Sequence, residues 1–344
     1  MAIVKKLNTY TDLHKGYPML IPIQTNLLLS TSGALCYFWI FDTKTAIWKQ
    51  TFKQISKTNV RFITQSIAGK NSKLFAFTRK AHIVKFNFKS DKPSYILSET
   101  SYPNLMSSTA KGFYYNNHYH LLIASRLTPD TVSHYKYNEE TGLKFLHTIR
   151  QISSQILSRC TILVLTYDQK LVFVDYFKQS IAVYDLSSYS VKMIGLYSRS
   201  FHVWDTKSVL SFDETRIITI WNKSNEDYRQ QKDTPHISVY NLINKKLEKC
   251  TLKLPNHFEK GNAVKSVCLF NTRNSCQIAA SAFIRRECTN VKLPIVIIYL
   301  MTEFVVLPQD EIIHILYKNN THYSIPFAAI IQNIKEHKQK EKQV

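Results

Sequence analysis

A phrase of apolar and polar positions recurs along the chain: a β-rich run ends in Tyr or Phe, a polar residue opens a turn, and a second short apolar run follows. Its copies are Tyr37-Phe38-Trp39-Ile40-Phe41-Asp42, Ile83-Val84-Lys85-Phe86-Asn87, Ser133-His134-Tyr135-Lys136-Tyr137-Asn138, Ile181-Ala182-Val183-Tyr184-Asp185-Leu186, Ile237-Ser238-Val239-Tyr240-Asn241-Leu242 and Val296-Ile297-Ile298-Tyr299-Leu300. They stand 45 to 59 residues apart, a period that belongs to propellers, solenoids and arrays. Each copy follows two further apolar runs, so the phrase predicts the third of four short strands per unit. In the first unit the strands are predicted at 19–23, 26–29, 36–41 and 46–51, and in the fourth at 160–166, 170–174, 181–186 and 191–196. Alternation within them is imperfect, as in strands covered on both faces.

Asp42, Asn138 and Asn241 open the turn after the phrase. Their side chains bond their own downstream backbone, so the flanking runs pair as the outer hairpin of a unit. A helical period of 3.6 is absent until the end of the chain. The expectation is an all-β fold, a β-propeller of four-stranded blades, with seven blades favoured over six. One domain spans 1–332, with blades near 17–52, 58–99, 104–149, 155–197, 200–255, 262–307 and 308–331. Such rings close by pairing strands from both chain ends, which gives Ile3 to Leu7 a place beside the last blade. Residues 333–344 read as a basic polar tail, a frayed helix at most.

The strand ending in Val-Tyr-Asp-Leu or Val-Tyr-Asn-Leu, the polar turn after it, and a last strand carrying Trp48, Phe145 or Leu247 resemble the kelch repeat across about residues 17–331. Kelch units carry a Gly-Gly pair after the second strand. Here the matching positions read Ser32-Gly33, Thr78-Arg79, Ser125-Arg126, Tyr176-Phe177, Asn222-Lys223 and Phe283-Ile284, so the repeats are degenerate. The resemblance implies a non-catalytic protein-binding module.

Composition supports a large core: hydrophobic residues are 44% of 344, with 20 Tyr and 19 Phe,. The amino terminus has no apolar stretch long enough for a secretory signal, and the run from Leu293 to Met301 is too short to span a membrane,. A cytoplasmic, monomeric protein is expected. The six cysteines form no Cys-x-x-Cys pair and read as small buried hydrophobes,. Net charge is +21, which favours acidic partners,.

Catalytic motifs are missing: there is no phosphate loop, dinucleotide fingerprint or nucleophile elbow,. His118-Tyr119-His120 places two imidazoles on one strand face and would need His134 or His147 nearby to hold a metal; no metal and no cofactor are assigned. Glu139-Glu140 and Asp213-Glu214 read as solvated turn residues.

In an up-and-down blade the loops between second and third strands share one end. Those loops carry Arg79, Arg126, Lys178, Arg285 and Arg286, and the widest of them, near 221–229, carries Trp221 and Tyr228. Arg favours anionic groups and aromatics favour hot spots, so these residues are the expected contacts for a protein or acidic peptide. Two other readings are an enzyme with its site in the axial funnel, and binding of nucleic acid or an anionic surface. The second draws on ten Lys/Arg interleaved with phenylalanines over 53–92,.

Overall fold

The structure is a computed structural model that describes residues 5–7, 18–24, 27–32, 38–52, 60–61, 73–78, 83–87, 94–97, 109–116, 118–124, 130–165, 168–175, 180–195, 203–211, 214–223, 235–254, 264–271, 311–317 and 321–343. It is built from four-stranded antiparallel sheets, the blades of a β-propeller,. The chain forms two compact units, Leu13–Arg199 and Met1–Asp12 with Ser200–Val344.

In the first unit, one sheet runs β2 (Pro18–Gln24), β3 (Leu27–Ser32), β4 (Phe38–Asp42) and β5 (Ile47–Phe52) in sequence order. A second follows as β6 (Val60–Arg61), β7 (Lys73–Thr78), β8 (Ile83–Asn87) and β9 (Ser94–Leu97). A third comprises β10 (Thr109–Tyr115), β11 (His118–Ala124), β12 (Val132–Asn138) and β13 (Gly142–Ile149). A fourth comprises β14 (Thr161–Leu165), β15 (Lys170–Asp175), β16 (Ser180–Asp185) and β17 (Val191–Gly195). The aromatic phrase forms the third strand of each, as its position in the repeat predicts.

The third and fourth sheets pack through Phe113, Leu122, Ala124 and Val132 against Ile162, Leu171, Phe173, Ala182 and Tyr184. Between them runs a short helix, α1 (Ser154–Arg159), that the strand pattern does not anticipate. Ser153 Oγ caps it by accepting from Ile156 N, while Ile152 before the cap and Leu157 in the first turn are both fully buried. That pairing is a hydrophobic staple, and it fixes the entry of the chain.

The second unit holds β18 (Val203–Leu210), β19 (Arg216–Lys223), β20 (Pro235–Asn241) and β21 (Lys246–Lys249), again in sequence order. Its other sheet joins the chain ends in the order β1 (Lys5–Leu7), β24 (His322–Pro326), β23 (Glu311–Tyr317) and β22 (Val264–Asn271). Lys5 to Leu7 pair with Ser324 to His322, so the N-terminal strand takes the place the repeat predicts. Two boundaries differ from the sequence reading. Strand β22, expected in the 262–307 blade, pairs directly with β23 of the 308–331 segment. And the polar tail is part of a helix, α2 (Phe327–Gln343), that begins six residues before 333. Its first turns carry Phe327, Ile330 and Ile334, all buried against Val209, Ile218, Ile220, Ile237, Val239, Ile313, Ile315 and Ile325. The charged second half hides this apolar stripe when 333–344 is read alone.

One turn recurs after the third strand. Asp42, Asn138, Asp185 and Asn241 each accept a backbone N–H two residues on. Four residues after each stands a residue with positive φ: Ala46 at 56°, Gly142 at 75°, Tyr189 at 58° and Lys245 at 55°. Only Gly142 adopts that region without a Cβ penalty.

Candidate functional site

Cross-strand partners share a sheet face, and in the third sheet the register collects an unusual set. Phe113, His120, Lys136 and Lys144 form one row, and Lys111, Leu122, His134 and His147 form the next. His118 stands opposite Tyr115 on the same face. Three lysines and four histidines thus share one face with no Asp or Glu among its described residues. Outward, Lys144 is exposed and Lys136 and His118 are half-buried; inward, His120 and His134 are buried.

The buried members form a chain. His134 Nδ1 lies 3.2 Å from the Tyr184 hydroxyl, and His134 Nε2 lies 3.0 Å from His120 Nδ1. Between two neutral rings one nitrogen donates its N–H and the other accepts, and the Tyr184 hydroxyl, both donor and acceptor, completes the chain at His134 Nδ1,. Phe113 stacks on His120 at 5.0 Å and closes the apolar side.

Burial pushes His120 down to about 4, with Lys136 and His118 adding repulsion. It pushes His134 down to about 3, with His120 and His147 adding to it. Burial also raises the Tyr184 phenol, so the chain is uncharged near neutral pH,. The expected pairing of His118 with His120 on one strand face is present, and His134 does reach His120. The contact is a hydrogen bond between two neutral rings, and among the described residues no group of three His, Cys, Asp or Glu could hold a metal.

At the inner edge of the same face Lys111 Nζ donates to the Cys160 carbonyl. Burial lowers this lysine, against the pull of Cys160. Burial raises the Cys160 thiol to about 11, so it is an inert packing group, as expected of cysteines in this sequence,.

The second unit repeats the imidazole pair. His314 Nδ1 on β23 lies 3.0 Å from His322 Nε2 on β24, and both are buried. The second-strand histidine again uses Nδ1, the third-strand one Nε2. The diagonal offset is also the same: His120 faces Lys136, two residues past His134, and His314 faces Ser324, two past His322. At the register-equivalent positions the fourth sheet has Val172 and Ile181, and the β18–β21 sheet has Ile218 and Ile237. Each pair therefore substitutes for an aliphatic contact. The sequence reading set His134 beside His118 and His120 as a metal ligand; the His314–His322 pair it did not anticipate.

An ion network ties α2 to its unit. Glu248 on β21, whose side chain is 4% exposed, receives Arg216 Nε at 2.9 Å and Lys338 Nζ at 2.7 Å. Burial alone would raise this carboxyl; Lys338 and Arg216 outweigh it and hold it below its usual range. The Asn333 side chain accepts from Thr251 N nearby. Glu214, expected on a solvated turn, is buried, with its N–H donating to the Ser211 carbonyl. Glu139 and Glu140 are exposed on their turn, as expected.

Of the residues expected to contact a partner, Arg79, Arg126, Lys178, Tyr228, Arg285 and Arg286 lie outside the described residues. Their flanking strands are defined. Arg79 falls between β7 and β8, Arg126 between β11 and β12, Lys178 between β15 and β16, and Tyr228 between β19 and β20, each a second-to-third-strand connection. Arg285 and Arg286 fall instead between β22 and β23, the first and second strands of their sheet. Trp221 is in β19, opposite His236. No helix among the described residues is long and apolar enough to cross a membrane.

No protein-family model matches the chain, and no curated protein matches it in sequence. Solved structures do resemble it in fold. A luciferin-regenerating enzyme matches with a TM-score of 0.51 at 14% identity, covering 94% of both chains. The β-propeller domain of Cps50 (Swd1) from Myceliophteria thermophila matches at 0.41 and 9% identity, covering 76% of this chain and 91% of that one. A BBS1 N-terminal fragment, solved in complex with ARL6, matches at 0.42 and 11% identity, covering 87% of this chain and 75% of that one.

Proposed function

We propose that this chain is a non-catalytic, kelch-like propeller that binds a protein partner through the loops between the second and third strands of its blades. One observation carries the reading. Each sheet of the first unit runs in sequence order, and Arg79, Arg126 and Lys178 fall in the sequence between the second and third strands of three of them. The strands on either side are anchored by buried residues such as Ala124, Val132 and Asp175. Rigid strands presenting basic loops suit an acidic peptide. The net charge of +21 raises the encounter rate with such a partner,.

The test is proximity labelling with the full chain beside an Arg79→Glu/Arg126→Glu/Lys178→Glu variant. Loss of the dominant partners from the variant supports the loops as the binding end, whereas an unchanged partner set removes them. Recovery of nucleic acid in place of protein, falling steeply with salt, would replace this reading with electrostatic nucleic-acid binding.

A further inference from the structure

Lys136 and Lys144 sit directly opposite each other on adjacent strands, and His118, two residues from the His120 that pairs with Lys136, lies diagonal to Lys136 on the same face. Like charges in that geometry destabilise a sheet. Among the described residues neither lysine has an ion-pair partner, and no carboxylate shares their face. The β18–β21 sheet shows the same position resolved. Its residue equivalent to Lys144 is Glu248, opposite Val239, and two cations neutralise that carboxylate from outside the pair. The third sheet presents the inverse, two cations side by side. In the fourth sheet Lys192 holds the equivalent place but faces Val183, so no charge opposes it.

We propose that Lys136, Lys144 and His118 form a binding site for a phosphate monoester. A phosphate monoester carries about −1.5 to −2 charge near neutrality, which matches two lysines, and it offers three acceptor oxygens for the two ammonium groups and an imidazole N–H. The site lies beside the Asn116 and Asn138 turns, at the end of the sheet opposite the loop bearing Arg126. It is therefore separate from the partner-binding end proposed above, and either can fail without the other. The ligand is either a free phosphate or a phosphorylated side chain, and the experiment separates them.

Thermal unfolding of the full chain is followed at constant ionic strength while inorganic phosphate, a phosphoserine peptide or its unphosphorylated counterpart is titrated against a chloride control. The midpoint should rise saturably with the phosphate-bearing probes and stay level with the unphosphorylated peptide. Lys136→Gln and Lys144→Gln should each weaken binding by roughly 10-fold or more, the worth of one charge-assisted hydrogen bond, while melting at or above the wild-type temperature without ligand. Lys192→Gln should bind as wild type. A phosphopeptide preference of more than about 10-fold identifies a phosphorylated chain as the source, and equal affinities identify the free ion. A rise that chloride reproduces, lysine variants that bind as wild type, or lysine variants that are less stable without ligand would each overturn the proposal.

Discussion

Replacing the His120 and His134 pair by the residues its sister sheets use should change how stability depends on pH. Both imidazoles have folded values near 4 and 3, against an unfolded reference of 6.5. The unfolded chain therefore binds protons that the folded chain refuses, so stability is full above about pH 6.5 and falls as pH drops toward the folded values. At pH 5 each ring accounts for about 2 kcal/mol of loss, and the pair for about 4 kcal/mol, a large share of a typical domain's 5–15 kcal/mol. The slope belonging to the pair is about 2.7 kcal/mol per pH unit in the steep range. The triple variant His120→Val, His134→Ile and Tyr184→Phe copies the aliphatic contact of Val172 with Ile181 and leaves no phenol hydroxyl without a partner. Urea denaturation from pH 7.5 to 5 should show the variant losing about 4 kcal/mol less than wild type. A wild-type slope in the variant would mean that the rings are hydrated or already charged, and would refute the buried-chain account.

Three further outcomes follow from packing, ion pairing and backbone geometry. Truncation of Ile334 to Ala should cost about 2–5 kcal/mol in chemical denaturation, because α2 closes the core beneath it,. Lys338→Ala should cost under about 1 kcal/mol, since that lysine is 53% exposed and Arg216 still neutralises Glu248,. In the repeated turn, Lys245→Gly should stabilise by about 1 kcal/mol, and Gly142→Ala should destabilise by a similar amount or more, both read by the shift in denaturation midpoint,. Equal effects of opposite sign to these would mean that the positive-φ residue does not govern the turn.

The repeat carried most of the fold because the third strands of five of the six described sheets, β4, β8, β12, β16 and β20, end alike, in an aromatic followed by Asp or Asn, and the Asx turn makes that ending chemically visible. Strand boundaries in the first and fourth units lie within a few residues of prediction, and the N-terminal strand pairs where the repeat requires. The helix α1 was illegible because its one buried turn rests on a staple of only two residues, Ile152 and Leu157. α2 was misread because its apolar residues sit at 327, 330 and 334, across the boundary drawn at the charged tail. The pairing of β22 with β23 skips residues 272–310, and a repeat reading assumes that neighbours in sequence pair. The basic face of the third sheet depends on cross-strand register, since its seven cationic or imidazole residues come from four strands and no single segment holds more than two. The His118–His120 spacing was the part of this face that the sequence reading used.

The central claim is that the loops after the second strands hold a protein partner. It is tested most directly by titrating the principal partner segment recovered by labelling into wild type and into the Arg79→Glu/Arg126→Glu/Lys178→Glu variant, at low and at physiological salt. Loss of about 100-fold or more in affinity for the charge-reversed chain, with its thermal midpoint unchanged, is the predicted result. Equal affinities for the two chains would place the partner elsewhere on the molecule and contradict the account.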